Sequence, residues 1–386
     1  MTHTDEHRPV RGRLAVFALF VSFGIVLATW AVHLPALQRA SGLSTSGLGT
    51  VLFVVGVGAL GGMQLCGPLT DKFGTAPVAA VAGAAMALAV VAPLAMTTPL
   101  HVGLGALVFG FATGSADVSM NAAAVSIERD YGRPIMASFH AVFSVGTVIG
   151  SLLGAAGYAA DVPVLAAVAT VSAGCVGLVG SARLMLRGRV DPAPGPGASP
   201  QAGRPARGRV LILGVLAFLL LLSEGSAMDW ASVHAQQHWD ASPALGTMAF
   251  GAFVTAMTVS RFVIDRLAQR LGPVAVLRWG CLLAAVGVAT VIVAPNLQVS
   301  LLGWILFGVG LSGGVPQVFT AAGNLDGAAG RVLSRVVGVG YLAILAGPAV
   351  IGWIGEASSL NAAFVVPLCA VLAGAAAAAV VAPGRR

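Results

Sequence analysis

Gly67-Pro68-Leu69-Thr70-Asp71-Lys72-Phe73-Gly74 separates two long apolar runs and is the first cluster of charge after the N-terminal tail. Two glycines, an acid and a base in such apolar surroundings predict a tight turn between two membrane helices. The rest of the chain fits that reading. Of its 386 residues, 57% are hydrophobic and only 9% charged, and the mean hydropathy is +0.91. Soluble proteins carry about 25% charged residues, so a water-facing surface cannot be assembled from this composition. Apolar stretches long enough to cross a bilayer, about 20 residues each, lie at 14–35, 46–66, 77–97, 100–124, 135–157, 162–184, 210–233, 243–264, 274–294, 299–322, 332–355 and 360–382. The period-2 alternation of a membrane barrel is absent. The fold class is therefore all-α integral membrane protein, with twelve transmembrane helices.

Charge sets the expected orientation. With both termini cytoplasmic, Arg39 alone of the 21 lysines and arginines falls outside, as the positive-inside rule requires. The net charge of +7 then points to anionic lipid at the inner leaflet and not to nucleic acid. Arg8, Arg11 and Arg13 precede an apolar run that continues to about Leu34, too long for a signal-peptide core, so an uncleaved first span is expected. Cys66, Cys175, Cys281 and Cys369 are scattered and apolar-flanked; they read as buried small hydrophobes, with no metal or disulfide spacing. No cofactor is implied.

Residues 190–208 are rich in Pro, Gly and Ala without apolar periodicity and read as part of a disordered cytoplasmic linker. The expected organisation is a tail at 1–13, a six-helix bundle at 14–186, the linker at 187–209, and a second six-helix bundle with a short tail at 210–386. The halves echo one another: Gly110, Gly114 and Gly132-Arg133 match Gly308, Ser312 and Gly330-Arg331 at an offset of 198. The turn after the second span has a degraded counterpart from Arg261 through Asp265-Arg266 to Gly272. Two pseudo-symmetric bundles with a site between them at mid-membrane are a transporter architecture.

Gly67-x-Leu69-x-Asp71-Lys72-x-Gly74 between spans two and three resembles the signature loop of the major facilitator superfamily. Twelve spans, the six-plus-six division and the central linker extend that resemblance over essentially the whole chain. Thr75 and Ala76 depart from it, standing where the family carries a basic pair. Asp117-x-x-Met120-Asn121, Glu128, Gly132-Arg133, His140 and Ser144-x-Gly146 are similar to the bacterial inner-membrane branch related to fucose permeases, as are Glu224-Gly225 and Asp229-Trp230. The resemblance implies a multi-pass protein of the bacterial cytoplasmic membrane that moves a small solute by alternating access and works as a monomer.

Asp117 is the sharpest candidate for proton coupling. An ionised carboxylate inside the bilayer costs at least about 2.5–3.5 kcal/mol unless paired or protonated. Asn121, four residues on, shares its face. Asp117 is placed roughly 13 Å from the end of span four and His140 roughly 9 Å into span five, comparable depths at 1.5 Å per residue; His140 is expected to relay a proton or bind substrate, with a helix–helix hydrogen bond as the competing reading. Fucose-type carriers use a span-four acid in coupling, a place Asp117 fills by resemblance; their span-one acid has no equivalent, since residues 14–35 hold no Asp or Glu. In span seven, Glu224 is the C-terminal-half candidate for coupling. Asp229 is expected at the outer cavity mouth, with Trp230 as an interface anchor. Trp30 and His33, at a similar outer level in span one, are expected to line the cavity and to stack on a ring substrate, with the aromatic belt as the competing reading of Trp30. Gln317, beside the Pro316 break in span ten, completes the expected substrate cavity with Asn121.

For gating, Gly67 and Gly74 are expected to remove side chains where backbones approach closely. Asp71 is expected to face the N-terminal end of span eleven near Arg331, where helix N–H groups favour an anion. Asp265 would do the same against span five near Arg133, with Lys72 and Arg266 as the accompanying bases. A purely topogenic turn is the competing reading of this loop.

The expected function is secondary active transport of a small organic solute, proton-coupled, with export favoured because the spans are dominated by Ala, Gly and Val. Span five, Gly146-x-x-x-Gly150-Ser151-x-x-Gly154-Ala155, resembles the glycine-rich motif of drug/proton antiporters, with serine in place of their proline. A sugar-like importer and an uncoupled facilitator are the alternatives. No HExxH, Walker loop or serine–histidine–acid grouping suggests an enzyme, and the short loops leave no room for receptor domains. Asp71→Asn is predicted to insert normally but to lower transport roughly tenfold, the scale of a typical coupling energy; wild-type transport with normal membrane levels would identify the loop as topogenic only.

Overall fold

The computed structural model describes residues 7–131, 135–186, 207–324 and 329–382. All regular structure among them is helical. Twelve helices are long and apolar enough to cross a membrane: Val10–Ser41, Thr45–Phe73, Thr75–Ala95, Pro99–Tyr131, Ser138–Ala159, Val164–Met185, Arg207–His238, Pro243–Ile264, Pro273–Val293, Leu297–Ala322, Arg335–Ala357 and Leu360–Val381. They are numbered spans one to twelve. Several outrun the apolar stretches that mark them in the sequence. A helix satisfies its own backbone N–H and C=O groups, so it continues beyond the hydrocarbon until a capping or breaking residue stops it.

The quoted octapeptide illustrates this. It is not a loop as a whole: residues up to Phe73 form the last turns of the span-two helix. Only Gly74 turns the chain, at φ 84° and ψ 156°, a backbone conformation that a residue with Cβ avoids. Its N–H donates to the Thr70 carbonyl at 2.9 Å. Around Gly67 a Cβ would meet nothing within 4 Å. Gly67 thus has open space around it, and Gly74 is required by its dihedral angles.

The chain divides into two compact units, Met1–Gly195 and Pro196–Arg386. In the first, span one is the central helix, 78% buried along its apolar window, against 22% for span six. Span one packs on spans five and six, span two on span four, and span three on spans four and six. In the second unit the equivalent pairs recur: span seven with eleven and twelve, eight with ten, nine with ten and twelve.

The offset of 198 holds in detail. Ser44 caps span two by accepting from Gly47 N at 3.1 Å, and Ser242 caps span eight by accepting from Leu245 N at 3.4 Å. Gly272 ends the span-eight helix at φ 82° and ψ 158°, with its N–H on Ala268 O, repeating Gly74 on Thr70. This register corrects the expected match for the gate acid. The position equivalent to Asp71 is Gln269, whereas Asp265 falls opposite Gly67, one helical turn further from the capping glycine.

Lipid tails are as apolar as leucine, so helices in a bilayer associate through tight packing of small residues. Spans two and four show it. Gly58 and Gly62 lie against the backbone of Leu107, Phe111 and Ser115, and a Cβ on Gly110 would lie 2.0 Å from Val55 O, one on Gly114 2.0 Å from Ala59 O. In the second unit a Cβ on Gly308 would lie 2.4 Å from Phe253 O; both residues are displaced by 198 from Gly110 and Val55. Gly146 and Gly150 of span five pack in the same way on Val21 and Ile25 of span one. Cys66, Cys175 and Cys281 are buried as expected, but Cys369 is exposed.

Span ten is interrupted. Its first segment ends at Leu311 and its second begins at Gly314. Pro316 explains the break, because it has no N–H for the Ser312 carbonyl and its ring collides with a continuous helix there.

Gly110→Ala is predicted to lower the melting temperature in detergent, since overpacking of this kind costs about 1–3 kcal/mol. Gly67→Ala, with open space around it, is predicted to leave it unchanged. Equal melting of the two variants would contradict the packing described for spans two and four.

Candidate functional site

Two carboxylates that depart from the internal repeat, Asp117 and Glu224, lie near helix centres. In span four, Asp117 lies 14 residues before Tyr131, about 21 Å of helix. It is half-buried. Asn121 Nδ2 donates to Asp117 Oδ1 at 3.1 Å and to Asp117 O at 2.9 Å. The two share a face as their spacing requires, and the amide is engaged with the carboxylate. The equivalent positions in span ten are Val315 and Phe319, so the pair belongs to the first unit only.

Glu128 fixes the level of this pair relative to span five. Its Oε2 accepts from Ile135 N and Met136 N, both at 2.7 Å. The carboxylate thus satisfies the free N–H groups at the start of the next helix, where the dipole favours negative charge. Measured from this anchor, Asp117 is eleven residues along span four and His140 only four residues into the next helix. His140 therefore lies about 10 Å shallower than Asp117, not at a comparable depth. It is exposed, with its ring edge-on to Phe20 at 5.4 Å.

Trp30 and His33 are both buried, at 4% and 3% exposure. Trp30 tilts against Phe109 at 5.1 Å, and His33 packs on Tyr158 at 5.2 Å with Nδ1 2.7 Å from Thr29 O. Each ring already has a protein neighbour, and substrate stacking would displace it.

In the second unit Glu224 sits near the middle of the Arg207–His238 helix. Its Oε1 pairs with Arg261 Nη2 of span eight at 3.2 Å. Arg261 counts in the charge map as a topogenic arginine, but this bond holds it at the level of Glu224. The side chains are 28% and 16% exposed for Arg261 and Glu224 respectively. The equivalents of this pair in the first unit are Met63 and Val26. Asp229 is half-buried. Trp230 is 0% exposed, which corrects its expected role as an interface anchor: it faces the inside of the unit because span seven is a central helix there. Gln317 is buried beside the span-ten break.

Further along span seven is a polar cluster that sequence patterns do not reveal. Asn361 Nδ2 donates to Ile292 O at 3.0 Å and lies 3.3 Å from His238 Nε2; its Oδ1 is 2.6 Å from His234 Nε2. The two histidine rings stack at 5.2 Å. Asn361 thereby joins spans seven, nine and twelve. Its only sequence signal is a polar residue just inside an apolar run. Among the described residues, no group of three or more His, Cys, Asp or Glu forms a metal site.

Among the expected gating residues, Asp71 and Lys72 are exposed, with Lys72 Nζ over the Phe73 ring at 5.2 Å. Arg266 is exposed as well. Arg133 and the side chains of Asp265 and Arg331 lie outside the described residues.

Residues 14–325 match the sequence pattern of the Major Facilitator Superfamily. An uncharacterized MFS-type transporter of Yersinia pestis is 36% identical over 353 residues, covering 90% of this chain and 89% of the relative. The fold is similar to that of a bacterial homolog of the human lysosomal transporter Spinster in an inward-facing, unoccupied conformation: TM-score 0.75, 13% identity, 97% of this chain and 96% of that one. It is also similar to the Escherichia coli fucose:proton symporter FucP, with TM-score 0.62, 15% identity, and coverage of 96% and 98%. The chain belongs to the major facilitator superfamily.

Proposed function

We propose that this member of the major facilitator superfamily is a proton-coupled secondary carrier in the cytoplasmic membrane of a bacterium, with Asp117 and Glu224 as the principal coupling groups. Secondary transport of a small solute is the work of the family; coupling and direction are the further step. The observation that carries it is the placement of two half-buried carboxylates near the centres of membrane-spanning helices. Ionisable groups inside a bilayer are costly and mark substrate or proton paths. Each acid also has a neighbour that stabilises its ionised form: Asn121 donates to Asp117, and Arg261 pairs with Glu224.

His140 is exposed and is assigned to proton access at a shallower level. Asn121, Gln317, Asp229, Trp30 and His33 supply the polar and aromatic surroundings of the cargo in this reading. Asp71 with Lys72, and Asp265 with Arg266, Arg133 and Arg331, serve the gates at the ends of the spans. Both termini are cytoplasmic, in keeping with the distribution of arginine, and the carrier acts as a monomer. Spans rich in Ala, Gly and Val favour an amphipathic organic cargo, and we assign the direction as export in exchange for protons.

The test begins with a thermal-shift screen of the purified protein against sugars, amino acids, nucleosides, organic acids and lipophilic cations. The strongest stabiliser is then followed in proteoliposomes carrying a proton gradient. Asp117→Asn and Glu224→Gln are predicted to reduce protonophore-sensitive accumulation to background while retaining solute counterflow. If both variants accumulate solute like the wild type, the coupling assignment fails. If the wild-type flux ignores the protonophore, the protein is a facilitator.

A further inference from the structure

We infer that Asp229 binds the cargo through a positive charge: the solute is an organic cation with an apolar body, and it exchanges with a proton at this carboxylate. This rests on the proposed carrier, in which Asp229 borders the cargo, and specifies the chemical class of the solute.

The first support is the burial pattern of span seven. From Leu220 to Ala235 every residue is buried except Leu221, Glu224, Gly225, Met228 and Asp229. Their spacing of three, one, three and one places these five on a single face of the helix. At Gly225, between the two acids, an added Cβ would meet nothing within 4 Å, so this face borders open space. Asp229 lies nine residues before His238, about 14 Å inside the end of the helix. Charged side chains at such depth face a water-filled path or one another, not lipid. Ser232, the next residue on this face, is 1% exposed, and the open stripe ends there.

The second support is the difference between the two acids. Glu224 has Arg261 at 3.2 Å. Among the described residues, no hydrogen bond or ion pair engages the Asp229 carboxylate. Spans eight, ten, eleven and twelve pack on span seven. Their ionisable side chains are Arg261 in span eight, none in span ten, Arg335, Tyr341 and Glu356 in span eleven, and Cys369 in span twelve. On span seven itself, His234 and His238 are engaged with Asn361. None of these groups bonds or pairs with Asp229. An ionised carboxylate without a partner is costly inside a bilayer, so in the empty site Asp229 holds a proton.

The third support is the repeat. The offset of 198 that relates caps, turn glycines and packing contacts places Ala31 at the position of Asp229. The six-helix unit is thus built in the first half without an acid at this place, and a structural requirement does not explain one in the second. A positive group on the cargo supplies the partner that the unit lacks. Its ammonium takes the place of the acidic proton: the O–H bond breaks, the proton leaves to water, and the carboxylate pairs with the cation. One positive charge enters as another leaves, so the site keeps its net charge. Leu221 and Met228, on the same face, receive the apolar part of the solute, as ligand sites are mostly apolar around a few polar groups.

The experiment uses the full-length purified protein in detergent, with a panel of alkyl and arylalkyl amines, each alongside the alcohol and the carboxylate of the same skeleton. Amines are expected to raise the melting temperature where their alcohols and carboxylates do not. Such amines titrate near the lysine value of about 10.4 and stay charged from pH 6 to pH 8. Their apparent affinity is expected to rise with pH over that range, by up to about tenfold per unit, as the competing proton is lost. At pH 6 in weak buffer, binding is expected to release about one proton per amine. Asp229→Asn leaves no charge unpaired and is expected to fold, to bind amines at least about tenfold more weakly, and to release no proton. Asp229→Glu is expected to retain both properties. The inference is overturned if no amine stabilises, if alcohols stabilise as well as amines, if Asp229→Asn binds amines within twofold of wild type, or if binding to the wild type at pH 6 releases no proton. Counterflow in proteoliposomes separates this from the reading beneath it. Transport of an uncharged or anionic solute by both wild type and Asp229→Asn removes the cation but keeps the carrier. Absence of flux for every stabilising solute removes the carrier reading instead.

Discussion

The structure depends on backbone-to-backbone contact between spans two and four, repeated between spans eight and ten. With Val55 O positioned 2.0 Å from where a Gly110 Cβ would stand, neither helix can carry a side chain at the crossing. In lipid, where burying apolar surface against a neighbour brings no hydrophobic gain, such contact supplies dense van der Waals packing instead. The crossings also bring the central portion of span four, with Asp117, into a defined register within its unit. The placement of Asp117 within its unit thus starts from residues that contribute no side chain.

Much of this architecture was legible in composition. Twelve apolar stretches and the near absence of charge leave few alternatives to a helical membrane protein, and the 198-residue echo announces the duplication. Helix ends were less legible. The apolar stretch after Thr45 ends near Cys66, yet the helix continues to Phe73 because its backbone bonds do not require apolar side chains. Gly74 carries a dihedral requirement that composition does not reveal, and open space surrounds Gly67. The mid-helix acids stood out because a charge in an apolar run is conspicuous. Their partners did not: Arg261 resembles the topogenic arginines, and only three-dimensional proximity distinguishes it.

The same contrast applies to the residues that tie helices together. Glu128 holds the first N–H groups of the span-five helix, and Asn361 links two histidines to a backbone carbonyl of span nine. Neither interaction has a periodicity or spacing that sequence inspection can use. Trp30 and Trp230 mislead in the opposite direction. Tryptophan near a span's outer end normally belongs to the interface belt, but spans one and seven are central helices in their units. Their tryptophans are packed inward.

The four cysteines lend themselves to spectroscopy. Three thiols are shielded within the helical units while Cys369 is exposed on span twelve. The unaltered protein therefore offers one favoured attachment point for a membrane-permeant maleimide. A fluorophore or nitroxide placed there would record the polarity and mobility around the last helix without first requiring a cysteine-free background. In this chain, the uneven burial of a residue that looks alike at all four positions provides a built-in reporter site.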